Sequence, residues 1–229
     1  MLKKIPIIIL AVTLLFIISG CNMGEENING REEYIIDSGS YVLENEEMLF
    51  KNSDLIFKGT VIDAKEISID EYLDGELNYV YYFDVFTFEV ENVYYSGDPF
   101  SEGISVETGD VIKVSNGSCD SDWVPGTLKM EKGKRYIVMT ERGVDLSNIK
   151  FTKYFDYYTG GPWASIIPVE DGKYYVDEIL TSLTDNALEE FIRKDEQDGK
   201  ILYETTVYVK GEGFENELEA LILEKKGES

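Results

Sequence analysis

Between Tyr79 and Tyr95 the chain reads YVYYFDVFTFEVENVYY, seventeen residues without a glycine or proline and dominated by rings and β-branched side chains. Such residues lose rotamer freedom in a helix and pack well on a pleated surface, so the segment is a long strand. Phe86, Phe88 and Val90 fall on one face by the period-two rule, and Val93 is out of phase with them. An extra residue near Glu91-Asn92 would restore the phase, so a β-bulge is expected there. A strand of this kind commits the body of the chain to β structure.

Other segments follow the same grammar. Leu55 to Ile62 is a strand with Leu55, Phe57, Gly59 and Val61 on one face, and Gly59 marks a place for a sharp bend. Asp70 to Asn78 reads as an acidic, glycine-containing hairpin loop. Gly109-Asp110 turns into Val111–Val114, and Glu131-Lys132-Gly133-Lys134 turns into Tyr136–Met139. Ile166–Val169 and Tyr174–Val176 form a hairpin across Glu170-Asp171-Gly172-Lys173, where Asp-Gly supplies the positive-φ turn residues. Further on, Thr184 is placed to cap a helix over Asp185–Lys194. Leu183 and Leu188 sit at staple positions, and Ala187, Leu188, Phe191 and Ile192 form an apolar stripe. Asp198-Gly199 turns into a strand, Lys200–Lys210. Gly211 and Gly213 then lead to a helix over Glu215–Glu224, with Leu218, Leu221 and Ile222 on one face.

The N-terminus is of another kind. Met1-Leu2-Lys3-Lys4 is basic, Ile5–Ile18 is apolar apart from Pro6 and Thr13, and Ser19-Gly20-Cys21 leads into polar sequence. A basic head, a short apolar core and small residues at its exit describe a secretory signal peptide. The apolar run falls short of the roughly 20 residues that a membrane-crossing helix needs. Ile18-Ser19-Gly20-Cys21 resembles the lipobox of bacterial lipoproteins, in which a Leu-like residue and two small residues precede the cysteine. The resemblance implies cleavage before Cys21, acylation of its thiol, and a chain held by lipid on the extracytoplasmic face of a membrane. Asn22 to about Glu47 then reads as a polar tether, with a short helix or turn at Tyr41–Phe50. The expected organisation is a signal peptide (1–20), an anchored tether (21–48), a β domain (49–180) and a C-terminal helix-strand-helix extension (181–229).

Charge and composition exclude whole classes of function. The full chain has 45 acidic and 21 basic residues, a formal charge of −24. Such a surface repels phosphate backbones and anionic headgroups, so nucleic acid is not an expected partner and the body stands off the bilayer. Aromatic residues make up 13%, which separates the chain from disordered acidic segments. There is no histidine, which removes Ser–His–Asp and Cys–His catalysis and His-ligated zinc. With Cys21 acylated, Cys119 has no intramolecular disulfide partner. It reads as a plain loop or core residue, with a reactive thiol as the alternative.

The succession "SDLIFKGTV", a long strand ending "VENVYYSG", "GDVIKV", "LKMEKGKRYIVM" and a hairpin after "GGP" is similar to bacterial exported OB-fold domains. Those domains look like the barrel of netrin modules and of tissue inhibitors of metalloproteinases. The similarity spans roughly Ser53 to Val176. It implies a mainly β fold, a five-stranded OB-like Greek-key barrel, followed by the small C-terminal extension. Those inhibitors present a disulfide-locked N-terminal cysteine whose free amine chelates zinc. Here the corresponding cysteine is expected to be acylated and far from the first strand, so their activity does not transfer.

Two segments stand out as candidate sites. Asn116-Gly117-Ser118-Cys119-Asp120-Ser121-Asp122-Trp123 groups a thiol, two carboxylates and an indole. Asp120 and Asp122 suit an ordinary barrel loop, since Asp bonds its own backbone, or a ligand or Ca²⁺ loop. Tyr154–Trp163 is aromatic beside Gly160-Gly161-Pro162. Its rings close one end of the barrel or, exposed, stack on a sugar or dock a protein, with Trp123 and Trp163 the candidate contacts. Lys194–Ile201 resembles a calcium loop only faintly and reads better as a helix-to-strand turn. No metal site, cofactor or catalytic residue is expected. The chain reads as a lipid-anchored binding module for a protein, peptide or glycan. The alternatives are an inhibitor of a secreted or surface enzyme, or a histidine-independent hydrolase.

Overall fold

The aromatic run forms the second of two long strands in a mainly β protein. The computed structural model describes residues 45–73, 75–97, 105–118, 128–143, 150–159, 165–197 and 200–227. The segments expected to be a signal peptide and most of a tether lie outside them. Helix α1 (Glu46–Asn52) precedes strands β1 (Leu55–Leu73), β2 (Glu76–Ser96), β3 (Val111–Ser118), β4 (Arg135–Arg142) and β5 (Tyr157–Thr159). Then follow β6 (Ile166–Glu170), β7 (Lys173–Asp177), β8 (Glu189–Gln197), β9 (Lys200–Lys210) and helix α2 (Phe214–Gly227).

The nine strands form one sheet in the order β1-β2-β3-β5-β4-β6-β7-β9-β8, and β1 also pairs with β4. Hydrogen bonding therefore runs around a ring from β1 through β2, β3, β5 and β4 back to β1. Only the β3–β5 step, Val114↔Tyr157 and Ser115↔Tyr158, is parallel. Because β1 bonds to two neighbours at once, Gly59 faces both Val90 and Tyr136. A Cβ on Gly59 would lie 2.7 Å from the Glu89 carbonyl oxygen, so close approach of strands requires glycine here. The bulge expected near Glu91-Asn92 is present. Lys58 faces Asn92 and Gly59 faces Val90, so Glu91 is skipped in the register with β1, while its carboxylate accepts from the Thr60 hydroxyl at 2.5 Å. The bulge returns Val93 to the cluster holding Phe86, Phe88 and Val90. A second bulge skips Tyr94.

Alternation along the strands builds two cores. Leu55, Phe57, Phe88, Val114, Val138 and Tyr157, drawn from all five ring strands, meet in one cluster. The opposite faces supply Ile56, Ile137, Met139, Ile167 and Val176, which pack with Leu49 and Phe50 of α1 and with Phe214, Leu218, Leu221 and Ile222 of α2. The short helix expected at Tyr41–Phe50 is α1, capped by the Asn45 side chain, which accepts from the Met48 N–H at 3.0 Å. The turn at Asp171-Gly172 has φ of 49° and 74°, as a two-residue hairpin needs. The strand expected over Lys200–Lys210 is β9, and the expected last helix is α2, with Leu218, Leu221 and Ile222 buried.

Four expectations are corrected. The loop over Asp70–Asn78 is mostly strand. β1 runs to Leu73 and β2 starts at Glu76, because Ile67 and Ile69 pair with Phe83 and Tyr81 and carry the hairpin outward. The helix over Asp185–Lys194 is instead strand β8. Asn186 takes a left-handed φ of 57°, and β9 offers a partner to the whole of Glu189–Gln197, with Phe191 set against Val207. Leu188 is 66% exposed, so no staple forms, and the Thr184 hydroxyl donates to the Thr181 carbonyl. The C-terminal part is thus a hairpin and one helix that prolong the sheet, not helix-strand-helix. Of Lys194–Ile201, Lys194–Gln197 lie in β8 and Lys200–Ile201 in β9, so strand and not helix precedes Asp198-Gly199, which themselves lie outside the described residues.

Candidate functional site

Cys21, Asp120, Asp122, Trp123 and Trp163 all lie outside the described residues, as does Cys119. Their flanks are described. Asn116, at the end of β3, is buried. Its Nδ2 donates to the Leu128 carbonyl and its Oδ1 accepts from the Thr159 hydroxyl, each at 2.9 Å. Thr159 ends β5. The segment carrying Asp120, Asp122 and Trp123 and the one carrying Trp163 therefore depart from parallel neighbouring strands that Asn116 stitches together. Asn116, the first residue of the candidate loop, is a structural tie with both ends of its amide engaged.

The best-built aromatic surface lies where the β1–β2 hairpin meets the connection from β4 to β5. Phe83 packs on Phe151 at 5.6 Å and on Phe155 at 5.4 Å, Tyr81 stands edge-on to Phe151 at 5.9 Å, and Tyr81 stacks on Phe83 at 6.3 Å. Phe155 and Ile69 are buried, whereas Tyr81, Phe83 and Phe151 are half-buried. A 3-10 turn at Phe151–Lys153 sets Phe151 and Phe155 on one side, stacked at 5.9 Å. Asp156 then locks the connection to β3. Its N–H donates to the Lys113 carbonyl at 2.9 Å, and its Oδ2 accepts from the Lys113 N–H at 2.8 Å. Rigid rings held at half burial suit stacking on a sugar face or seating an apolar side chain, since little order is lost on binding. Of these rings, Phe155 falls in the run Tyr154–Trp163 singled out from sequence. Phe151, Tyr81 and Phe83 do not. The alternation of Ile67, Ile69, Tyr81 and Phe83 about the hairpin is the signal that could have found the patch.

The polar cluster that most looks like a reaction centre sits at the start of α2. Glu215 Oε1 accepts from Lys58 Nζ at 2.7 Å and from the Tyr174 hydroxyl at 2.5 Å, and Oε2 accepts from the Tyr94 hydroxyl at 2.6 Å. A shallow cleft of about 380 Å³ opens beside it, lined by Gly172, Tyr174, Glu212, Gly213, Glu215 and Asn216. Burial works against the Glu215 charge, yet bonds from Lys58, Tyr174 and Tyr94 hold its carboxyl below the usual range. Burial, and then the Glu215 carboxylate, push both phenols well above the ordinary tyrosine range. A general base works best with a pKa near the operating pH. Here the acid is too strong, the phenols are too weak, and both carboxylate oxygens are occupied. The cluster clamps α2 to β1, β2 and β7 instead.

No protein-family model matches the chain, and no curated protein is significantly similar to it.

Proposed function

We propose that the chain is an extracytoplasmic lipoprotein, held to a membrane by lipid on Cys21, that binds a protein, peptide or glycan without turning it over. The ring patch of half-buried Tyr81, Phe83 and Phe151 around buried Phe155 carries the binding part of this reading. In the finer reading of the fold, the strands of the ring form an OB-like barrel. The closed pairing β1-β2-β3-β5-β4-β1 with a parallel β3–β5 step supports it. OB barrels bind oligomers over the faces of strands 2 and 3 and the loops joining strands 1–2 and 4–5. The ring patch draws on β2 and on the β4–β5 connection. The charge of −24 disfavours polyanions, leaving neutral glycans and neutral or basic peptides. Against catalysis stand the saturated Glu215 cluster and the lack of histidine.

Three measurements test this. Fractionation of producing cells should find the chain in membranes and Cys21→Ser released or unprocessed. Normal processing and membrane retention of Cys21→Ser would refute the anchor. Neutral-glycan and peptide arrays should show ligands whose binding is lost in Phe151→Ala and in Tyr81→Ala. Turnover of any ligand in a hydrolase panel, abolished by a single substitution, would replace binding with catalysis.

A further inference from the structure

We propose that the outer edge of β8 pairs antiparallel with β8 of a second copy of this chain. β8 ends the strand order, and among the described strands it bonds only to β9. An edge strand presents a row of backbone donors and acceptors to any strand that fits it. Two large apolar side chains stand exposed in its middle, Phe191 at 41% and Ile192 at 57%, on opposite faces. A helix or loop of the same chain covering one face would leave the other open. A strand added in the plane of the sheet lines both.

The charges select which strand fits. Glu189, Glu190, Phe191, Ile192, Arg193 and Lys194 run acid, acid, apolar, apolar, base, base. Read against itself in reverse, such an order opposes unlike charges. A two-fold axis normal to the sheet keeps the same face of both copies on the same side, so only residues of one face can meet. With the axis through Ile192, that residue meets its own copy and Glu190 meets Lys194 twice; Glu189 also meets Asp195, a like pair that Lys173, bonded to Glu189 at 3.1 Å, partly offsets. On the other face Phe191 meets Arg193 twice, a cation over a ring. Lys194 already bonds Glu204 of β9 at 2.9 Å, so the partner's Glu190 would continue a ladder of alternating charge. Sliding the copies so that Phe191 meets Phe191 sets Glu190 against Ile192. The one unlike-charge contact this keeps is Glu189 with Arg193, and Glu189 is already bonded to Lys173 at 3.1 Å. The surface elsewhere is strongly acidic and repels its like, whereas Glu189–Lys194 carries balanced charge. The edge is therefore where two copies can approach. A contact of a few residues is small beside standard interfaces, so association in the micromolar range is expected.

Sedimentation velocity of the full chain in detergent, from low to high micromolar, tests the pairing. The wild type should pass from monomer to dimer. Glu190→Lys and Lys194→Glu, each alone, should weaken association about tenfold or more, because like charges then face each other across the axis. An equimolar mixture of the two variants should recover a dimer, since the mixed pair again sets Lys against Glu at both 190–194 contacts. Recovery also proves both variants folded. A wild type that stays monomeric throughout, a single variant that associates as the wild type does, or a mixture that remains monomeric would each overturn the proposal.

Discussion

The two cores are closed by different means. Around the ring cluster the walls are backbone ladders, from β1 through β2, β3, β5 and β4 back to β1, and the Asn116–Thr159 bond is a local addition. Over the second core the lid is two helices, held by apolar packing and by side-chain bonds. Lys58, Tyr94 and Tyr174 bind Glu215. The Ser182 N–H and hydroxyl both donate to the Glu46 carboxylate at 2.6 Å, and Lys226 donates to the Ser53 carbonyl at 2.6 Å. Lys210 bridges Glu217 at 2.8 Å and the Asp185 carbonyl. Main-chain ladders open together, whereas side-chain clamps can be released one at a time. The helix side is therefore the weaker wall, and three perturbations of decreasing size probe that difference.

Phe88→Ala should have the largest effect. Phe88 is fully buried in the ring cluster and stands edge-on to Phe57 at 5.2 Å. Removing it leaves a cavity bounded by strands that cannot collapse without breaking ladders, a loss of about 3–5 kcal/mol. Urea unfolding should lose that amount in one transition, with helix and strand signals falling together. If helix signal disappeared first, the ring would not be the cooperative unit.

Glu215→Ala should be smaller and local. It strips the bonds from three partly buried donors, about 2 kcal/mol after allowance for their remaining exposure. Hydrogen exchange should then speed up at the amides of α2 while those of β2 keep their protection. Uniform acceleration across both would erase the distinction between the two walls.

What the sequence discloses divides along the same line. β2, its bulge and the Asp171-Gly172 turn are local patterns, and each is legible from residues within a few positions. β8 is not. Ala187, Leu188, Phe191 and Ile192 fit a helix stripe as well as a strand, and the decision comes from β9, where Val207 meets Phe191, and from Tyr175, 6.4 Å from its ring. The Glu215 clamp was equally hidden. Its donors Lys58, Tyr94 and Tyr174 lie 157, 121 and 41 positions away, and an acid in the first turn of a helix already has a local reason to be there. The ring patch was half visible, since Phe155 lies in a conspicuous aromatic run but its neighbours Tyr81 and Phe83 come from another hairpin.

Acid should act most gently and from opposite directions on different groups. Glu215 has a folded pKa below its free value of 4.5, so the folded state binds fewer protons than the unfolded one near that pH. Its contribution is complete above the free value and is lost as pH falls through the folded value. Asp177 is the reverse. Burial raises its carboxyl above the free value of 3.8, against the lowering bonds from the Ile179 N–H and the Thr205 hydroxyl. The folded state then binds more protons between the two values, and stability rises as pH falls through that window. Asp84, raised first by burial, has the same sign. Acidification from neutrality should therefore leave the sheet unharmed or slightly firmer at first, and only below 4.5 should the α2 amides lose exchange protection. Because a protonated carboxyl still accepts a bond from Lys58, this loss should stay smaller than that of Glu215→Ala. In Glu215→Gln, which carries no titrating proton, the α2 response to acid should vanish. If it persisted there, some other carboxylate would be the acid-sensitive fastening of the helix.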